Sequence, residues 1–376
     1  MGSVLFRFAP LLMALFFFTT PLLAQNNLYN PEESALINAY ASLGYYNWKM
    51  ISTSDYMSLF GADKSAGLNY SHDAEPFLVK RYGLRSNFLI FSLGLDYFSD
   101  QFGVPSEFDS QQKLETDTDN TAKQLKILGG VNLGSVILQA NIILREFNST
   151  ITSEGQRDYL NNILPIYYYP KNSDAQLLNP GDKASWYTKY KEYDIKINFP
   201  DPYFSFDLGV KYMDYEAPTE VKISQNGDSG DALIFTRNQI INVYMGLNSL
   251  SPLGYNFYLQ LYMPLSFSIP GGYRMECDFV DQGETGFFSV SSLTASSTGS
   301  LSLNYITSFV KLQAGLDYGF YYSWVQLRDA KLKKNIQFWD NFGNTVVSAN
   351  SGEKVTMSFT RLELFWGFFL SASVFF

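Results

Sequence analysis

The closing fifteen residues constrain the fold more tightly than any other stretch. Leu362, Leu364, Trp366, Phe368, Leu370, Ala372, Val374 and Phe376 are apolar at every second position. Arg361, Glu363, Phe365, Gly367, Phe369, Ser371, Ser373 and Phe375 fill the places between them. A repeat of two puts the two sets on opposite faces of a strand, whereas a helix would scatter them. One face can meet only lipid or a core. The other carries charge, Gly and Ser.

The alternation recurs upstream. Leu89, Phe91, Leu93, Leu95 and Tyr97 alternate with Ile90, Ser92, Gly94, Asp96 and Phe98. Phe204, Phe206, Leu208, Val210 and Tyr212 alternate with Ser205, Asp207, Gly209 and Lys211. A soluble sandwich alternates too, but aromatic residues at the segment ends favour lipid, where they collect at the two interfaces. Beyond the N-terminal segment no apolar stretch has helix length. The longest charge-free run, Thr285 to Val310, holds twelve Ser, Thr or Gly among its first twenty residues. A membrane chain without spanning helices has one solution left, a closed barrel.

Connections set the strand number. Short turns fall near 85–87, 132–134, 200–202, 248–253 and 306–308, and they alternate with long polar stretches at 48–76, 99–121, 148–187, 217–231, 269–299 and 328–353. Eleven connectors join twelve strands, near 36–47, 77–85, 87–98, 122–131, 135–147, 188–199, 203–216, 232–247, 254–268, 300–306, 309–327 and 354–376. Ten strands follow if 77–85 and 300–306 fail, and fourteen if 269–299 hides a hairpin. The expected fold is therefore all-β: a transmembrane antiparallel up-and-down β-barrel of about 12 strands, with short periplasmic turns and long extracellular loops.

The N-terminus reads as a secretory signal peptide over residues 1–24. Arg7 precedes an apolar core, Leu11 to Phe18, and Ala24 precedes polar Gln25. The core is short for a membrane-spanning helix, so cleavage is expected between Ala24 and Gln25. A short periplasmic segment, 25–35, then leads into a single barrel domain, 36–376. Composition removes other classes. With one His and one Cys there is no disulfide framework and no His/Cys metal cluster. With 27 basic against 36 acidic residues the net charge of −9 has the wrong sign for nucleic acid.

An aromatic strand closing an exported chain resembles the terminal strand of bacterial outer-membrane β-barrel proteins. Gly367 and Phe376 carry that resemblance. It implies that the barrel-assembly machinery recognises this strand, that outer-membrane lipid surrounds the barrel, and that the protein resides in the bacterial outer membrane.

Strand parity places Asp96, Lys126, Arg145, Asp194, Lys196, Asp207, Lys211, Lys311, Asp317, Arg361 and Glu363 on the inner wall, a nearly balanced set of charges. Such charges must pair or face water. Twelve strands lie between a side-chain-filled barrel and an open channel. Three functions compete. The first is a narrow porin-like channel for small polar solutes. The second is an anchor whose long external loops serve adhesion or ligand interaction. The third is a fatty-acid-type transporter or barrel enzyme, disfavoured by a very short N-terminal segment and a His confined to a loop. No enzymatic activity and no cofactor or metal are expected. Glu115, Asp117 and Asp119 lack the spacing of a calcium loop, and His72, Cys277 and Tyr167 to Tyr169 read as loop residues. The Ser/Thr-rich stretch 285–304 reads as flexible rim.

Overall fold

A computed structural model describes residues 35–52, 70–73, 77–103, 106–109, 113–153, 156–157, 163–164, 166–169, 176–178, 182–201, 203–225, 228–277, 280–281, 291–339 and 345–376. The expected cleavage site at Ala24 and Gln25, and nearly all of 25–35, lie outside these residues. Twelve long strands form the barrel: β1 (Ile37–Ser52), β2 (Phe77–Phe88), β3 (Phe91–Gly103), β4 (Lys113–Asn132), β5 (Ile137–Ser153), β6 (Lys183–Phe199), β7 (Phe204–Gln225), β8 (Asp228–Gly254), β9 (Phe257–Cys277), β10 (Ser291–Ile306), β11 (Val310–Leu332) and β12 (Lys354–Phe375). Each pairs antiparallel with the next. The ring closes where β12 pairs with β1, from Asn38 opposite Phe375 up to Ser52 opposite Arg361. Closure leaves no edge strand in the barrel wall, so its backbone polar groups can be met without water.

The periplasmic turns are built by local chemistry. Between β4 and β5, Asn132 Oδ1 accepts the Gly134 amide at 2.8 Å, and Gly134 adopts φ +89°. Asp201 accepts the amides of Tyr203 and Phe204, and Thr307 Oγ1 accepts that of Val310. Tyr255 and Asn256 both take positive φ, 49° and 68°, the signature of a tight hairpin turn whose twist matches its strands. The first turn differs from expectation. Arg85, Ser86 and Asn87 belong to β2, and the chain reverses at Leu89 and Ile90 instead. Asn87 is held inside the strand because its amide donates to Leu36 O and its side chain to Ala35 O.

Strands also rise further beyond the bilayer than periodicity suggests. Residues 291–299, expected as rim, belong to β10. There Thr294 and Ser296 face inward, where their hydroxyls meet Asn242 Oδ1 and Ser266 Oγ, while Leu293, Leu301 and Leu303 face out. A strand whose inner face is Ser and Thr loses the hydrophobic contrast that reveals alternation.

The outer surface carries a continuous apolar band. Leu370 and Phe368 are 63% and 70% exposed, and Leu93, Ile195, Val210 and Leu316 are also exposed. Above the band runs a ladder of outward charges in direct cross-strand register: Lys123, Glu146, Lys189, Glu216, Arg237 and Glu276, on β4 to β9. The signs alternate at every step. Arg237 reaches Asp214 at 2.7 Å and Glu276 at 3.5 Å. Charges of this kind cannot sit in hydrocarbon, so the ladder lies above the lipid-embedded band on this side.

One feature of the topology is absent from a simple up-and-down barrel. The β6–β7 ladder ends at Lys189 opposite Glu216, and the β12–β1 ladder ends at Ser52 opposite Arg361. Above those points β7 and β12, which stand almost opposite each other in the ring, pair with one another: Lys222 with Ser358, Ile223 with Met357, and Ser224 with Thr356. Strands β7 to β12 thereby curl inward over the barrel. An apolar core fills the curl, including Met213, Ile240, Tyr273, Met275, Val325 and Met357.

Candidate functional site: the inner wall

The inner wall is organised in rows, because antiparallel register places inward residues of successive strands side by side. Arg81, Phe98, Gln124, Arg145, Tyr190 and Tyr215 form an upper row across β2 to β7. Two residues lower, Gly83, Asp96, Lys126, Ile143, Glu192 and Met213 form the next. The third contains Arg85, Gly94, Leu128, Asn141, Asp194 and Lys211.

Four of the five described inward carboxylates accept from a specific donor, and the fifth, Asp96, lies against the Tyr40 ring. Tyr40 reaches Asp96 over Gly83, and Tyr46 donates to Asp317 at 2.7 Å over Gly367. Arg81 stands 3.5 Å from the same Asp317. Asn141 donates to Asp194 at 2.6 Å. Lys211 pairs with Glu192 at 2.9 Å, and Tyr190 donates to Glu192 as well. Asp207 accepts Lys196 at 2.8 Å and Asn198 at 2.6 Å, with Tyr244 at 3.4 Å.

The cations are differently placed. Lys126 lies opposite Asp96 in the ladder but makes no hydrogen bond or ion pair among the described residues, and Asp96 lies against Tyr40 instead. Arg85 likewise has no carboxylate within ion-pair distance among the described residues. Arg145 donates through Nε and Nη2 to the neutral Gln124 Oε1 at 2.9 and 2.7 Å, and lies 5.3 Å from the Tyr190 ring centroid. Arg361 is buried where β12 leaves β1, with its guanidinium 4.4 Å from the Tyr215 ring centroid. Tyr215 in turn packs on Tyr190 and Tyr321, so aromatic rings cross the lumen beneath the apolar cap. Lys311 is buried near the periplasmic end of β11. Glu363 lies between Met50 and Tyr321 in backbone register, and its side chain is outside the described residues.

Two inward cations escaped the parity assignment. Arg81 and Arg85 point inward with Gly83 between them; both lie in the expected strand 77–85, where Val79 on their own face and Lys80 on the other blur the alternation. Arg81, Arg85, Lys126, Arg145, Lys196, Lys211, Lys311 and Arg361 face five described carboxylates, Asp96, Glu192, Asp194, Asp207 and Asp317. By strand parity Asp100 and Glu363 take inward positions too, so the excess of cations is a property of the described side chains alone.

No protein family and no curated protein matches the chain. Solved structures with a similar course include the toluene transporter TodX of P. putida, at 8% identity and TM-score 0.36 over 90% of each chain. The outer membrane protease OmpT of Escherichia coli matches at 12% identity and TM-score 0.36, over 94% of this chain and 99% of that one. The β domain of the Bordetella autotransporter BrkA matches at 6% identity and TM-score 0.40, over 88% and 98%. These likenesses carry no argument about function. The architecture itself is that of bacterial outer-membrane barrels: twelve closed antiparallel strands, apolar outside and polar inside.

The other residues singled out in the sequence do not converge on chemistry. His72 pairs in backbone register with Met50 and Ser106, and its side chain is outside the described residues, as are those of Cys277 and Tyr167 to Tyr169. Among the described residues no group of three His, Cys, Asp or Glu could hold a metal ion. Of the long connector 148–187, Ile166–Tyr169 runs parallel to β8, with Tyr168 opposite Leu233. This portion lies along the extracellular part of β8.

Proposed function

We propose that the protein is a narrow outer-membrane channel for small polar solutes, with its water path along the β1–β6 side of the barrel. One observation carries this reading: Arg85 and Arg145 point inward, yet both are exposed. Solvent-sized space therefore lies beside the inner wall at two heights. Charges without counter-ions support the same conclusion, because leaving them dry is costly. The apolar curl of β7 to β12 narrows the opposite side of the extracellular mouth, so conductance is expected to be small. Purified protein in planar bilayers should give discrete single-channel steps. Absence of steps from protein that shows heat-modifiable migration and β-type circular dichroism would favour the alternative, an anchor presenting its extracellular segments.

A further inference from the structure

We infer that Arg85, Lys126 and Arg145 form a track for small oxyanions, phosphate or carboxylate; this deepens the channel reading and rests on it. The three residues climb the wall in even steps. Lys126 stands one row above Arg85, two strands along, and Arg145 one row above Lys126 on the adjacent strand. With strands about 4.8 Å apart and about 3.4 Å of rise per residue, backbone separations are roughly 12 Å and 8 Å. Side chains of Lys and Arg span such gaps, so an anion released by one cation is already near the next.

Local packing keeps the track available. Gly94 leaves room for the Arg85 side chain to lie over β3 beside Leu128: a Cβ there would sit 3.1 Å from Arg85 Cγ. Gln124 fixes the Arg145 fork through Nε and Nη2 and leaves Nη1 uncommitted. The described carboxylates that could quench the track lie against other groups, Asp96 beside Tyr40 over Gly83 and Asp194 accepting from Asn141. They still lower the potential around Lys126, which favours passage over retention. A forked guanidinium offers paired donors that match an oxyanion and have no second partner on a halide.

The test combines conductance with binding. In planar bilayers under a potassium chloride gradient, the wild-type reversal potential should report anion preference, and inorganic phosphate should interrupt the current. Lys126→Gln and Arg145→Gln should each weaken the phosphate effect about tenfold, the loss of one charge-assisted hydrogen bond. Lys191→Gln, on the outer face, should leave it unchanged. Phosphorus NMR line broadening by detergent-folded protein measures binding without conduction. Cation preference, or equal phosphate sensitivity in wild type and Lys126→Gln, would overturn the oxyanion track and leave the channel standing. Broadening that depends on Lys126 without any conductance would support the track and overturn the channel. Neither conductance nor broadening would overturn both.

Discussion

Tyr46 on β1 donates its phenolic proton to Asp317 on β11 at 2.7 Å, reaching across β12 directly over Gly367. The three residues occupy one register row, and a Cβ at Gly367 would lie 2.3 Å from the Tyr46 ring. The arrangement repeats on the other side of β1, where Tyr40, Gly83 and Asp96 share a row and a Cβ at Gly83 would lie 2.0 Å from the Tyr40 ring. Each glycine is a slot for a tyrosine that ties three strands together around the closing seam.

Filling a slot should therefore weaken the barrel. Gly367→Ala is expected to destabilise it by about 1–3 kcal/mol, the usual cost of overpacking. Urea-driven loss of the heat-modifiable gel band measures this. If packing is the cause, adding Tyr46→Ala should recover part of the loss. No recovery would mean that the Tyr46 ring is not what the added methyl meets, leaving the β1 backbone at Tyr45 O as the obstacle.

The facing of β12 gives a second test. Leu370→Arg places a charge on the lipid face at a cost of roughly 2–4 kcal/mol, whereas Ser371→Arg turns its charge into the lumen. Folded yield in lipid vesicles should fall for the first and change little for the second. Equal losses would invert the assigned faces.

The outward charge ladder predicts a coupled response. Glu216 stands between Lys189 and Arg237, so Glu216→Lys aligns three cations in a row. Exposed cross-strand pairs are worth only about 0.2–1 kcal/mol, so the single change should lower the urea midpoint slightly. Glu216→Gln, which removes the attractions without adding like-charge contacts, should lower it less. Equal losses for the two variants would mean that the alternation of signs has no energetic role.

The meeting of β7 and β12 separates two routes for solute. Cysteines replacing Ser224 and Thr356, which lie opposite each other, should form a disulfide across this seam in a Cys277→Ser background. If solutes pass on the β1–β6 side, oxidation should leave single-channel conductance unchanged. Conductance that falls on oxidation and returns on reduction would place the path through an opening of β7 to β12.

Much of the barrel follows from local order alone. Alternation along Leu362 to Phe376 dictates a strand and its two faces, because side-chain direction in a strand depends only on parity. Strand number follows from the alternation of short and long connectors, and the inward parity of residues such as Asp96, Lys126 and Asp207 is a local property too. Where a strand stops was harder to read. Arg85 to Asn87 look like a turn until Leu36 is brought alongside, and 291–299 lack apolar contrast because their inner neighbours are also hydroxyl-bearing.

Tertiary structure decided everything that depends on which strands face one another across the lumen. The pairing of β7 with β12 joins residues more than 130 positions apart, and no local signal marks it. Which charge partners which was equally hidden. Asp96 and Lys126 look like a natural pair in the ladder, but Tyr40 takes the carboxylate because Gly83 leaves it a path. Lys126 therefore remains on the wall with no counter-ion among the described residues. Parity determines that a side chain points inward; only the packing of rings over glycines determines what it meets there.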